Sequence, residues 1–486
     1  MNYPLTRYIL GQIALIEAAF LLIPLFIGAG YGEDTLSAFS LTIAVLLVLG
    51  IILTIRKPAD SAVTAKGGFG IVALAWIMIS LFGSLPFFIS GYIPNFIDSV
   101  FETVSGFSTT GASILTNVEA LPKSLLFWRS LTHWMGGMGV FVFIIAIMPK
   151  VEASIMQLFK AESPGPQAGK LVSKLKFTAR ILYGIYIALT LLEVVLLLLG
   201  KMPLFDSFIH AFGTAGTGGF SSKNLSVGHY NSAYIDTVIS IFMIIFSINF
   251  NIYFLFLIGS FKQALKSEEL RVFLSVITVS VVIISVVLSI NSIYTNIGVS
   301  FRHSLFQVAS LISTTGYTTA DFASWPLAAQ MILLLLMFVG ACAGSTGGGL
   351  KISRIIILFK SGFKEIKRAL SPRTVYILKF EGKPLDAAIH HGVLRYFSLY
   401  MIIFFISLLL VSTSMDNSPS SFVTAFTAIA ACLNNIGPGL ANIGPLGNYS
   451  GFSNFAKIIL SLNMLIGRLE ILPVLLLFSP KLWLKR

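Results

Sequence analysis

Four times along this chain a short apolar stretch runs into a glycine-bearing polar turn, and each time long apolar segments flank the pair. The copies read SVFETVSGFSTTGAS, SFIHAFGTAGTGGFSS, SLFQVASLISTTGYTT and TAFTAIAACLNNIGPGL. They place Gly111, Gly218, Gly316 and Gly437 in matching positions about 100 to 120 residues apart, and such a recurrence outranks any reading of a single segment. The fourth copy has diverged furthest, with Asn435 and Ile436 where threonine marks the others.

The flanking segments set the solvent. With 486 residues, 56% hydrophobic and 11% charged, and a mean hydropathy of +0.89, the chain lacks the polar surface to cover a water-soluble globule. Crossing about 30 Å of hydrocarbon takes roughly 20 helical residues, and Ile9 to Ile27, Leu41 to Ile55, Ile71 to Ile89, Ile181 to Gly200 and Phe273 to Ile290 qualify. Barrel strands would be short and alternating, whereas these runs are long and continuously apolar. No cleavable signal pattern stands at the N-terminus, so the first helix is expected to be retained.

The formal charge of +13 does not point to nucleic acid, because Lys and Arg collect in alternate loops. They lie at Arg56 to Lys66, Lys150 to Arg180, Lys262 to Arg271, Arg354 to Lys383 and Lys481 to Arg486. That bias predicts cytoplasmic loops and cytoplasmic N- and C-termini. The intervening loops carry acids, among them Asp98, Glu102, Asp206 and Asp321, which would give the outer face a mildly negative character. Cys342 and Cys432 fall in or beside apolar segments, which speaks against a disulfide.

Non-helical backbone at membrane depth survives only where protein buries it or water lines it. A half-helix that enters and leaves on one side, ending in an extended glycine turn, is the geometry of a pore loop. Glycine lets successive carbonyls aim inward without a Cβ in the way. Four such loops around one axis would form an oxygen ring able to replace the hydration shell of a monovalent cation such as potassium. A plain turn explains any one copy equally well, but not four copies each set between two spans on one face.

These residues, SGFSTTGAS, GTGGFSS, STTGYTT and NNIGPG, resemble the superfamily of potassium transporters that includes the Trk and Ktr membrane subunits. The extra apolar pair from Tyr8 to Ile55 is similar to the TrkH/TrkG-type membrane subunit. The resemblance implies an all-α integral membrane protein. It would have ten transmembrane helices and four re-entrant pore loops in four helix-pore-helix repeats, with pseudo-fourfold symmetry, after an extra N-terminal helix pair. The units expected are 1–67, 68–160, 161–267, 268–375 with a gating loop over 340–351, and 376–486. It carries potassium-filter roles over to Thr110, Gly111, Thr217, Gly218, Thr315, Gly316, Ile436 and Gly437. It further implies potassium uptake across the inner (plasma) membrane of a bacterium, with K+ as the permeant ion and no nucleotide bound by this chain. The partners implied are a second copy in a homodimer, a cytosolic TrkA-like nucleotide-binding ring and membrane lipid, without nucleic acid.

Further stretches carry chemistry of their own. GACAGSTGGGLKISR, Gly340 to Arg354, is no nucleotide-binding loop, because Leu350 separates Gly349 from Lys351 and an apolar helix precedes it. A small-residue run inside a span is either a close helix contact or a flexible break. By resemblance, Gly344, Ser345, Thr346, Gly347, Gly348 and Gly349 form the gating loop beneath the filter. Arg468 lies mid-span, where a charge costs about 2.5 to 3.5 kcal/mol, so it must face protein or a water path. An ion pair with Glu470 is disfavoured, since residues two apart on a helix face different ways. The resemblance makes Arg468 a barrier under the filter. Glu193, also mid-span, is either a proton-coupling carboxylate, as a proton- or sodium-coupled symporter would need, or a helix-contact residue. His133, His210 and His303 show no metal spacing and are expected to pack or hydrogen-bond. The run KSGFKEIKRALSPR is a solvated cytoplasmic helix or a docking face. No paired carboxylates, HExxH or nucleophile motif suggests an enzyme.

Overall fold

A computed structural model describes residues 2–58, 64–139, 175–416 and 418–483. The expected boundary at 160–161 and the basic residues Lys150, Lys160, Lys170, Lys174, Lys485 and Arg486 lie outside the described residues. Helices dominate, and the only strands among the described residues are the two-residue antiparallel pair Lys379–Phe380 and Lys383–Pro384.

The chain opens with an antiparallel pair, α1 (Tyr3–Tyr31) and α2 (Leu36–Thr54). Asn2 caps α1 by accepting from the Leu5 amide, and Gly32 ends it at a φ of 67°. Lipid leaves no hydrophobic drive between helices, so close packing of small residues has to hold them. Gly11 and Gly50 supply it: a Cβ on either would lie 3.0 Å from the other's carbonyl oxygen. The outer side of α2, with Val45, Val48, Ile51 and Ile52 exposed, is left for acyl chains.

Four units follow, each a first helix, a short helix, a glycine loop and a second helix. The first holds α3 (Ala65–Gly83), α4 (Phe96–Phe107) and α5 (Lys123–Gly137). The second holds α6 (Leu175–Leu199), α7 (Leu204–Ala215), α8 (Ala233–Ser247) and α9 (Phe250–Leu257). The third holds α10 (Glu268–Ile290), α11 (Ile297–Ile312), α12 (Leu327–Val339) and α13 (Ile352–Leu370). The fourth holds α14 (Ala387–Ser412), α15 (Ser421–Leu433), α16 (Asn454–Leu469) and α17 (Ile471–Leu477). Thr64 caps α3 by accepting from the Gly67 amide.

By length and composition, six described helices can cross a membrane, or seven if α8 and α9, bent by 91°, count as one span. Several second helices are interrupted: α8 stops before Asn249, α12 stops at Gly340 with a φ of 71°, and α16 stops at Glu470 with a φ of 63°. The first helices of the second, third and fourth units run unbroken and are largely exposed, whereas that of the first unit is mostly buried.

Candidate functional site

The short helices α4, α7, α11 and α15 end in one backbone motif. In α4 the amide of Thr109 donates to Gly106 O (3.0 Å) and that of Thr110 to Ser105 O (2.9 Å). The same two bonds recur from Thr217 to Thr214 and Gly218 to Gly213, from Thr314 to Leu311 and Thr315 to Ser310, and from Asn435 to Cys432 and Ile436 to Ala431. This is the Schellman ending, in which the residue after the cap turns left-handed. Glycine usually fills that slot. Here Thr109, Thr217, Thr314 and Asn435 hold it, at φ values of 55°, 54°, 62° and 55°. Asparagine adopts this conformation readily, but a β-branched residue there is strained, at about 1 to 3 kcal/mol each.

Two residues further on, the chain turns left-handed again at Gly111, Gly219, Gly316 and Gly437. In the second loop the ring position therefore belongs to Gly219. Gly218, aligned with the others from sequence, stands level with Thr110, and Thr217 stands level with Thr109. Gly216 takes the cap position that Ser108 and Ser313 fill in the first and third loops, so the backbone register is the same in all of them.

The four loops follow one another in a closed cycle. A Cβ built on Gly111 would strike the carbonyl oxygen of Gly218, one on Gly219 that of Thr315, and one on Gly316 that of Ile436. A Cβ on Gly437 would lie 2.7 Å from Thr110 O, which returns to the first loop. At each junction a glycine thus lets the next loop's carbonyl approach. No side chain other than hydrogen fits. Such a ring offers backbone oxygens rather than carboxylates, which suits a weakly hydrated monovalent cation. Among the described residues no group of three or more His, Cys, Asp or Glu could hold a metal ion.

Side chains brace the cycle from behind. Tyr317 donates its hydroxyl to His210 O (3.0 Å) and Phe220 O (3.1 Å), and Tyr449 donates to Gly437 O (2.7 Å). Asn435 donates from Nδ2 to Thr110 Oγ1 (3.0 Å) and Met464 O (2.9 Å). Arg129 meets Glu102 at 2.5 Å, donates to Ser221 O (3.2 Å) and lies 3.4 Å over the Phe220 ring. Lys457 pairs with Asp98 at 2.7 Å, and Arg302 with Asp236 at 3.3 Å. Glu102, counted from sequence among the outward acids, is buried and neutralised by Arg129. Asp206 is also buried, accepting from Ser222 (2.6 Å). His133 stacks on Phe220 at 4.0 Å and His210 contacts Ser221 Oγ at 3.0 Å, packing and hydrogen-bonding roles. Sequence reasoning missed Arg129 and Tyr449. An arginine set within the apolar stretch LLFWRSL was the available signal for the first of these.

Under the cycle lies the segment 340–351. Its amide at Gly348 donates to Thr314 Oγ1 (2.6 Å), so it hangs directly from a left-handed threonine of the third loop. It also docks on the α8–α9 bend, through Cys342 N to Ser247 O (3.1 Å) and Phe250 N to Gly344 O (3.0 Å). Cys342 and Cys432 are both free and buried. Arg468 reaches this segment from the last helix. It donates to Thr346 O (2.7 Å), to Gly137 O (2.6 Å) and to Gly136 O, so three carbonyls offset the burial of its charge. Lys351 bonds Gly347 O within the segment, and Glu470 pairs with Arg354 at 2.5 Å. Glu193, in α6 of the second unit, is fully buried beside Thr214 of α7.

Residues 35–485 match the family model TrkH, described as a cation transport protein. The chain is 37% identical to the Trk system potassium uptake protein TrkH of Salmonella typhimurium, over 99% of this chain and 100% of that protein. It is 32% identical to TrkG of Escherichia coli, over 97% of each. The solved structure of the potassium transporter TrkH from Vibrio parahaemolyticus superposes with a TM-score of 0.89 at 33% identity, over 100% of both chains.

Proposed function

The chain belongs to the TrkH family of cation transport proteins, and from that premise we propose that it takes up potassium through a channel-like pore. The supporting observation is the closed cycle of four glycine loops, whose left-handed turns bring one loop's carbonyl against the next. In this reading the carbonyls around Thr110, Gly111, Gly218, Gly219, Thr315, Gly316, Ile436 and Gly437 replace water around a dehydrated K+. Thr217 sets the backbone of the second loop. The short helices are the descending arms of four re-entrant loops among ten spans, in the five units drawn from sequence. Both termini face the cytoplasm across a bacterial inner membrane.

The segment Gly344 to Gly349 acts as a gate beneath the ring. Arg468, bonded to Thr346 O, adds positive charge on the exit path and holds the closed position. A second copy in a homodimer and a TrkA-like nucleotide-binding ring are the proposed partners, with nucleotide bound by that ring and not by this chain. A second reading, cation-coupled symport, draws on Glu193, a buried carboxylate on α6 of the second unit.

Cation flux into liposomes at a clamped potential tests both. Flux that follows the potassium gradient, exceeds sodium flux and persists with a protonophore supports the channel-like reading. Proton movement in step with potassium supports symport, and no cation flux removes both. Arg468→Ala should raise flux through the folded protein; unchanged flux would remove its barrier role.

A further inference from the structure

We infer that Glu102 is a positioning residue for ion discrimination, holding the segment that leaves the first loop and, through Arg129, the segment that leaves the second. The inference rests on the cycle of loops being the cation filter. It begins with a position that the four units share. Glu102, His210, Gln307 and Ala428 each stand nine residues ahead of the ring glycines Gly111, Gly219, Gly316 and Gly437. Ser113, Ser221, Thr318 and Gly439 stand two residues after those glycines, on the segments that leave the ring.

In the first unit the two positions are bonded: the Glu102 carboxylate accepts from Ser113 Oγ at 2.9 and 3.1 Å and from the Ile114 amide at 3.0 Å. In the second, His210 Nε2 lies 3.0 Å from Ser221 Oγ. In the third, the Gln307 amide is buried with no hydrogen-bond partner among the described residues. In the fourth, Ala428 has nothing to offer. Support thus declines around the ring, and the charged brace belongs to the first loop.

Arg129 extends that brace across the junction. Its Nε meets Glu102, its Nη1 donates to Ser221 O, and its plane covers Phe220, so one rigid guanidinium binds the exits of two neighbouring loops. Both charges are almost completely buried, which makes the bonds stiff and their loss uncompensated by water. Where selection turns on the spacing and field of carbonyl oxygens, a stiff support sets how far the ring relaxes around a smaller ion. Glu102 touches no ion and acts through Ser113, Ile114 and Arg129.

The test uses the full-length protein in liposomes, reading the potassium-to-sodium permeability ratio from reversal potentials beside total flux. Ser113→Ala removes one hydroxyl from the brace and leaves the ion pair intact. It should lower the ratio about threefold, the discrimination one hydrogen bond supplies. Glu102→Gln, which keeps the shape but unbalances Arg129, should lower it about tenfold or more while sodium flux rises. If Glu102→Gln does not fold, Ser113→Ala decides: a folded variant with the wild-type ratio overturns the inference. A ratio that stays at wild type in both variants does the same. A wild-type protein without potassium preference removes the filter reading itself, and this inference with it, which separates the two failures.

Discussion

The first and fourth loops meet across one junction with the same backbone and opposite kinds of support. The first is held by its own unit, through Glu102, Arg129 and a hydroxyl pair between Ser108 and Thr110 at 2.7 Å. The fourth has Ala428 where the first has Glu102, and part of its hold is on its neighbour: Asn435 Nδ2 donates to Thr110 Oγ1. A ring of this type therefore needs matching dihedral angles at each station but not matching scaffolds behind them. The fourth sequence could drift to Asn-Ile-Gly-Pro because asparagine accepts the left-handed slot with less strain than threonine does.

Replacing the ring glycines should have the largest effect and should separate the two loops. Gly111→Ala adds a methyl that strikes Gly218 O at a φ of 79°, so potassium uptake by the reconstituted protein should fall below detection. Gly437→Ala meets Thr110 O at 2.7 Å and should leave residual uptake with weaker potassium preference. Equal losses would show the fourth station to be as tightly closed as the first.

Next in size, Arg129→Leu strands the buried Glu102 carboxylate and should lower stability by about 3 to 5 kcal/mol, read as a fall in the thermal midpoint in detergent. A midpoint within a degree of wild type would mean that the first loop has another support. Asn435→Ala removes two buried hydrogen bonds and should cost about 1 to 3 kcal/mol by the same measurement. Its effect should shrink in a Thr110→Val background, which already lacks one acceptor; unchanged additivity would break the link across the junction. Asn435→Thr, which restores the residue type of the other three slots, should do least in backbone terms but still lose the bond to Met464 O. A smaller loss than Asn435→Ala is expected, and a larger one would refute the equivalence of the four slots.

Much of the fold was legible because its rules are local. Long apolar runs give the unbroken first helices, and a recurring glycine after a short apolar stretch marks each loop. The register of the second loop was not legible, since three glycines at 216, 218 and 219 allow two alignments and only the backbone angle at Gly219 chooses. The break at Glu470 was hidden for the opposite reason: neither glycine nor proline occupies the left-handed position, so the last span reads as continuous. The brace between Glu102 and Arg129 joins residues 27 apart that no short motif links. Arg468 was legible because a charge among apolar residues must find partners. That those partners are the carbonyls of Gly136, Gly137 and Thr346 depends on how distant segments pack.

The left-handed Glu470 has a mechanical meaning. It turns the end of the last helix into a short crank: Arg468 on one side grips Thr346 under the ring, and Glu470 itself grips Arg354 at the start of α13. Helix α13 leads outward to Lys360, Lys364, Lys367 and Arg368. If the loop gates as proposed, a pull on those basic residues would reach the underside of the ring at two points, one through the backbone of the loop and one through the crank. The loop and its arginine would have to move together.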